Sequence, residues 1–121
     1  MALKHPRGTI LRVSQVPDQN GVNPKDRLVV LVRDFEDTDA EAYGVAVTST
    51  FNLPLPATSV SLPYHRQGRC KTGLTKDSVA NCTWVVAALP GDIIEWIGLT
   101  PPQKLLVILQ QVQAHLPSQP P

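Results

Sequence analysis

The chain has 121 residues, enough for one domain with a hydrophobic core, and its formal net charge is +1 at pH 7. A charge so close to zero argues against general nucleic-acid binding, so any contact with a polyanion must come from a local cationic patch. Cys70 and Cys82 fit neither a disulfide framework nor a zinc-ligand spacing. With no apolar run of transmembrane length and no signal-peptide core, we expect a soluble, cytoplasmic protein without metal or cofactor.

The first half of the chain predicts three strands. Residues 9–16 mix β-branched and polar side chains after a glycine turn, and residues 28–32 form an apolar run typical of a strand covered on both faces. Residues 43–50 form the third predicted strand, after a stretch that holds half of the acidic residues and should be a loop. If the second and third strands pair as a hairpin, Arg27 and Thr48 lie at the same end of the sheet.

The second half predicts further strands. Residues 60–62 favour a short strand and residues 79–89 a buried strand, whereas residues 91–99 fit either a strand or an irregular apolar link.

A single helix should follow. Thr100 is a suitable N-cap, Pro101 suits the first helical position and Gln103 would complete a capping box. An apolar stripe at helical spacing, which we interpret as core packing, consists of Leu105, Leu109, Val112 and Leu116.

Strands joined by irregular loops and followed by one helix predict a mainly β protein. We expect a small, strongly bent antiparallel barrel with the C-terminal helix packed against it. Residues 1–116 would form the single domain, and the proline-rich residues 117–121 a disordered tail. Neither a βαβ alternation nor a Walker-type phosphate loop is present in the sequence.

A cationic stretch precedes the long buried strand. Within a dozen residues without a carboxylate it contains His65, Arg66, Arg69, Lys71 and Lys76. Such a stretch attracts an anion such as a phosphate chain, which His65, Arg66, Arg69 and Lys71 would bind. The alternative is an ordinary solvated basic loop.

Five short motifs in order resemble the PemK/MazF family of toxins from bacterial toxin–antitoxin systems. They are residues 7–10 (Arg-Gly-Thr-Ile), residues 23–30 around Arg27, residues 47–49 (Val-Thr-Ser), residues 72–80 around Lys76, and the helix start at Thr100-Pro101. Together they extend over most of the chain.

The resemblance implies that the barrel is SH3-like with the C-terminal helix packed on it. It also implies a homodimeric, metal-independent endoribonuclease that cuts single-stranded messenger RNA and is inhibited by a cognate antitoxin. It assigns functional roles to Arg27, Thr48 and Ser49. With RNA as the substrate, we predict that the basic residues His65, Arg66, Arg69 and Lys71 bind RNA. Where some members carry an arginine and an aspartate, this chain has Lys76 and Ser78. A lysine holds phosphate only as a point charge, and a hydroxyl replaces a carboxylate that would act as a base.

Metal-free RNA cleavage needs a base for the 2′-hydroxyl, an acid for the leaving 5′-oxygen and positive charge around the phosphorus. The expected products are a 2′,3′-cyclic phosphate and a 5′-hydroxyl. Arg27 would bind the non-bridging oxygens, Thr48 and Ser49 would donate hydrogen bonds, and Lys76 would add charge.

The candidates have simpler structural explanations as well. His65 is a candidate base or a solvated loop histidine, and Ser78 is a site residue or a turn residue. Thr48 and Ser49 equally suit backbone hydrogen bonding at a strand end.

The sequence is also compatible with two other functions. One is a catalytically weak or inactive barrel that binds RNA or a protein. The other is a topoisomerase-poisoning, gyrase-type toxin of the same fold, in which the C-terminal helix contacts the target; the polar outer face of this helix does not favour it.

Overall fold

A computed structural model describes residues 3–115, so the predicted tail and Leu116 lie outside the described residues. The elements in chain order are β1 (Leu3–His5), β2 (Thr9–Val16), β3 (Lys25–Leu31), β4 (Phe35–Glu36), β5 (Ala42–Thr48), β6 (Ser59–Leu62), β7 (Ser78–Ala88), β8 (Ile93–Leu99) and α1 (Pro102–His115). A short 3-10 turn, Pro90–Asp92, joins β7 to β8. The mainly β class with one C-terminal helix is confirmed.

Six antiparallel strands form the main sheet in the order β6-β7-β5-β3-β2-β8, while β1 and β4 form a small two-stranded sheet. The predicted hairpin is present, since Leu28 pairs with Val47 and Leu31 with Gly44. Arg27 precedes Leu28 and Thr48 follows Val47, so the two residues lie at the same end of the sheet, as predicted. Residues 91–99, for which the sequence predicts either a strand or an irregular apolar link, contain β8.

The strand ladder does not close into a barrel within residues 3–115, because β6 and β8 are the two edges of the sheet and do not pair. The loop of residues 63–77, which we call the bridging loop, spans these edges instead. It begins directly after β6, and its Lys71 carbonyl accepts a hydrogen bond of 2.8 Å from Leu99 N at the end of β8. The predicted barrel is thus an open, curled sheet whose edges are joined by a loop.

Two glycines allow the bridging loop to lie against β8. Gly73 has φ +70°, and a Cβ there would collide with the carbonyl oxygen of Ile97. A Cβ on Gly98 would collide with the carbonyl oxygen of Thr72. Any side chain at either position would separate loop and strand, so this backbone contact fixes where the loop stands.

Apolar residues cover both faces of the sheet. One face carries a core with Leu11, Val13, Val29 and Val86, against which Trp84 packs. The opposite face, which we call the helix face, carries Ile10, Val30, Val45 and Leu74 together with Ile108 of α1. Neighbouring residues of one strand belong to different faces, as the alternation of a β-strand requires.

The start of α1 differs from the prediction. The helix begins at Pro102, and the Pro101 carbonyl accepts the first helical bond from Leu105 N at 2.9 Å. The predicted capping box is therefore wrong, since Thr100 lies one residue too early and its buried Oγ1 has no hydrogen-bond partner among the described residues. In the predicted stripe Leu105, Leu109 and Val112 are half-buried, whereas the fully buried helix residue is Ile108.

Candidate functional site

A groove of about 350 Å³ lies where the β3–β5 hairpin meets the bridging loop. All five predicted catalytic residues line it: Arg27, Thr48, Ser49, Lys76 and Ser78. They come from β3, from the end of β5 and from the segment that leads into β7. The fold thus brings together residues that lie about fifty positions apart in sequence.

The groove is cationic. Its lining contains Arg12, Lys25, Arg27 and Lys76, against the single carboxylate of Asp26. Three of these charges come from β2 and β3, and the fourth from the bridging loop. An excess of positive charge in a concave surface favours an anionic ligand such as a phosphodiester.

The sequence prediction missed Arg12 and Asp26. Arg12 shares the helix face with Ile10, two positions earlier on β2, and Asp26 is two positions before Leu28 on β3. Period-two alternation within each strand would have placed both side chains on the groove side. Arg12 Nε also donates to Glu95 Oε1 at 2.6 Å, and both side chains are partly exposed.

The guanidinium of Arg27 is held on the opposite face of the sheet from Leu28. Its Nε donates to the Val16 carbonyl at 3.0 Å, and its Nη2 donates to the Asn23 carbonyl at 3.3 Å. Its central carbon lies 4.9 Å from the ring centroid of Trp84. Since a guanidinium has five N–H donors, three remain without a partner among residues 3–115. Arg27 therefore lies between the groove and Trp84, and its unpartnered N–H groups are available to a ligand.

Two of the predicted hydroxyls make local backbone bonds. Thr48 Oγ1 accepts from Thr50 N at 3.1 Å and donates to the Thr50 carbonyl at 3.2 Å. Ser78 is buried, and its Oγ donates to the Lys76 carbonyl at 2.9 Å. Both thus have the backbone-satisfying role that the sequence left open, whereas Ser49 and Lys76 are exposed at the groove.

The predicted RNA-binding residues lie outside the groove. His65, Arg66 and Arg69 line a separate open concavity together with Tyr64 and Gln67. His65 Nδ1 accepts from Gln67 N at 3.1 Å and from Arg69 N at 3.4 Å, so the imidazole organises the turn. Lys71 is exposed elsewhere on the bridging loop and lines neither hollow.

Asp18 shapes the β2–β3 loop that supplies the Asn23 carbonyl to Arg27. Its Oδ1 accepts from Val22 N at 3.1 Å and from Asn20 N at 2.9 Å, and its Oδ2 accepts from Asn23 Nδ2 at 3.2 Å. These bonds, the one from Val22 first, hold the pKa of Asp18 below its usual value. The Asp18 carboxylate thus holds the loop whose Asn23 carbonyl accepts the hydrogen bond from Arg27.

Among residues 3–115 no group of three or more histidine, cysteine, aspartate or glutamate side chains could hold a metal ion. In the same range no helix is both long and apolar enough to cross a membrane.

Solved structures with a similar fold include a toxin and endoribonucleases. The Mycobacterium tuberculosis toxin MazF-mt6 superposes with a TM-score of 0.61 at 16% identity, over 86% of this chain and 92% of that one. The chain has a PemK/MazF-like fold. An endoribonuclease from a mycobacterial species gives a TM-score of 0.63 at 14% identity, over 90% of this chain and 88% of that one.

The MazE–MazF structure from Deinococcus radiodurans gives a TM-score of 0.62 at 13% identity, over 94% of this chain and 95% of that one. No protein-family model matches the sequence, and the search of curated proteins finds no match. The predicted resemblance is therefore confirmed at the level of the fold.

Proposed function

We propose that this chain is the toxin of a toxin–antitoxin system and that it cleaves single-stranded RNA in the cytoplasm without a metal ion. The observation that carries the proposal is the cationic groove that gathers Arg27, Thr48, Ser49, Lys76 and Ser78. The MazF-like fold supports it, because the similar solved structures include toxins and endoribonucleases. The RNA backbone supplies the anion, and its 2′-hydroxyl supplies the nucleophile.

The groove offers a group for each step of such a reaction. The Asp26 carboxylate accepts the proton of the 2′-hydroxyl, whose oxygen then attacks the phosphorus. Arg27 directs its unpartnered N–H groups, and Ser49 its hydroxyl, to the non-bridging oxygens. The Lys76 ammonium gives a proton to the 5′-oxygen as its bond to phosphorus breaks. The products are a 2′,3′-cyclic phosphate and a 5′-hydroxyl.

The decisive experiment incubates the purified protein with mixed-sequence single-stranded RNA in excess EDTA and identifies the fragment ends. Arg27→Ala should lower the cleavage rate by roughly 10²-fold or more, since a donor to the developing charge is lost. Arg33→Ala is a matched control, because Arg33 also stacks on an aromatic ring, with its guanidinium carbon 5.4 Å from Tyr43, away from the groove. Equal cleavage by both variants would remove Arg27 from the mechanism.

The role of Asp26 has its own test. Asp26→Asn keeps the shape of the side chain but removes the proton acceptor, so cleavage should fall by roughly 10²-fold or more. Asp37→Asn, in the exposed acidic loop, should leave the rate unchanged.

The wild-type protein tests the class of function. If it binds RNA but leaves the RNA intact, the protein is a non-catalytic RNA-binding module and not a ribonuclease.

An antitoxin partner and a homodimer belong to the same proposal. One similar structure is a MazE–MazF complex and another is an endoribonuclease bound to its cognate antitoxin. A protein segment that covers the groove would block the RNA, so the antitoxin should abolish RNA binding. Light scattering of the purified chain at several concentrations measures whether it is a dimer.

A further inference from the structure

The concavity beside the bridging loop combines an exposed aromatic ring with two arginines. Tyr64 is 48% exposed, and Arg66, Gln67 and Arg69 line the same hollow, of about 680 Å³. No carboxylate belongs to this lining, and neither arginine forms an ion pair within residues 3–115. An apolar ring and two free guanidinium groups thus face the same solvent-filled space.

The turn that carries these side chains is held in place by its own backbone. Gly68 has φ +71°, and its N–H donates to the His65 carbonyl at 2.7 Å. The His65 imidazole accepts two further backbone N–H groups from the turn. Because the backbone is fixed, Arg66 and Arg69 are presented at a set separation, which lowers the entropic cost of binding a ligand.

The same loop connects the concavity with the groove. His65 N donates to the Leu74 carbonyl at 2.9 Å, and Leu74 lines the groove with Gly73, Thr75 and Lys76. One backbone hydrogen bond thus joins the segment that lines the concavity to the segment that lines the groove. Both hollows are therefore formed in part by the bridging loop.

We propose that Tyr64, Arg66 and Arg69 form a nucleotide subsite for single-stranded RNA that extends beyond the groove. One base stacks on the Tyr64 ring, and the two arginines bind the phosphates on either side of that base. This assignment rests on the proposed function for the identity of the ligand. An acidic peptide would satisfy the arginines but leave the ring without a partner, whereas a nucleotide uses both.

The test measures binding of 2′-O-methyl RNA, which cannot be cleaved because its nucleophile is blocked. One oligonucleotide has about four nucleotides and the other about twice that length, so that only the longer one reaches beyond the groove. Tyr64→Ala should lower the affinity for the longer oligonucleotide roughly 5- to 150-fold, the effect of one lost stacking interaction. The affinity for the shorter oligonucleotide should stay unchanged. Tyr64→Phe, which retains the ring, should bind like the wild type.

Trp96→Ala is the matched control, because Trp96 is 56% exposed and lies on β8 outside both hollows. A similar loss in this variant would indicate non-specific stickiness of exposed rings and would overturn the subsite. Circular dichroism spectra that match the wild type establish that each variant is folded. An equal loss of affinity for the short and the long oligonucleotide in Tyr64→Ala would also overturn the subsite.

The phosphate contacts are tested by salt dependence. Arg66→Ala and Arg69→Ala should each reduce the slope of log K against log salt by roughly 0.7 for the longer ligand only. A poly-glutamate peptide that competes as well as RNA, with no dependence on Tyr64, would assign the surface to an acidic protein instead.

The two proposals fail separately. Intact unmodified RNA with Tyr64-dependent binding would remove the ribonuclease and retain the subsite. Cleavage with Tyr64-independent binding would do the opposite.

Discussion

The guanidinium carbon of Arg27 lies 4.9 Å from the ring centroid of Trp84, on the face of the sheet opposite to Leu28. Trp84 Nε1 also donates to the Pro17 carbonyl at 3.2 Å, at the start of the β2–β3 loop. The same loop provides Asn23, whose carbonyl accepts from Arg27. Trp84 therefore fixes both the arginine and the loop that holds it, which makes it a positioning residue for the proposed site.

Replacing Trp84 by leucine should lower RNA cleavage by roughly fivefold to 30-fold, since a cation–π contact worth about 1–2 kcal/mol is lost. The loss should disappear in an Arg27→Ala background, because the ring acts through the arginine. Trp84→Phe, which keeps an aromatic face, should retain most of the activity. Cleavage rates of the single and double variants form the required cycle.

Trp96→Leu provides the control for removing an indole from this protein. Additive losses in the Trp84→Leu and Arg27→Ala double variant would show that Trp84 acts on the fold and not through Arg27.

Local patterns predicted the strands of the main sheet well, because each of these strands depends on its own alternation and turns. They missed β1 and also β4, which lies in the predicted acidic loop. Residues 9–16 form β2 with the predicted bounds, and the hairpin of β3 and β5 has Arg27 and Thr48 at one end. Features that depend on distant backbone were not predicted. The stacking of Arg27 on Trp84 and the contact of the bridging loop with β8 at Gly73 and Gly98 each join residues far apart in the sequence.

The candidate site shows the same division. The resemblance identified residues that the structure then gathers in one groove, but it did not reveal Arg12 or Asp26, which line the groove as well. The helix start was misplaced because Thr100 matches a capping pattern, yet its N–H donates to the Gly8 carbonyl at 2.8 Å. That bond occupies the N–H from which the Gln103 side chain would accept in a capping box.

Glu95 should limit RNA binding, since it pairs with Arg12 at 2.6 Å beside the groove. Glu95→Gln removes a charge that competes for Arg12 and repels phosphate, so RNA affinity at low salt should rise by roughly twofold to fivefold. The dissociation constant for 2′-O-methyl RNA measures the effect. Glu41→Gln, distant from the groove, is the control, and weaker binding by Glu95→Gln would contradict the prediction.

Stability at acidic pH should depend on Asp18. Its pKa is lowered in the folded state by the hydrogen bond from Val22 N, so its contribution is fully present above the unfolded-state pKa and is lost as the pH falls through the folded-state value. Wild type should therefore exceed Asp18→Asn in urea midpoint at pH 7, and the gap should narrow at pH values below about 4.

Urea titrations of both proteins across this pH range test the Asp18 prediction. Asp37→Asn, an exposed carboxylate of the acidic loop, is the control for adding an amide. A gap between wild type and Asp18→Asn that stays constant with pH would show that ionisation of Asp18 does not contribute.

The effect of replacing Thr100 on stability depends on whether its hydroxyl caps the helix. If Thr100 were the N-cap, its replacement would lower the free energy of unfolding by about 1 kcal/mol. In the structure its Oγ1 is buried without a partner within residues 3–115, so Thr100→Val should raise the free energy of unfolding by about 1 kcal/mol. Thr9→Val is the matched control, since Thr9 is equally buried but donates to the Pro6 carbonyl at 2.6 Å. Urea unfolding should therefore show Thr9→Val destabilised and Thr100→Val stabilised, and a loss of stability in both would restore Thr100 as a cap.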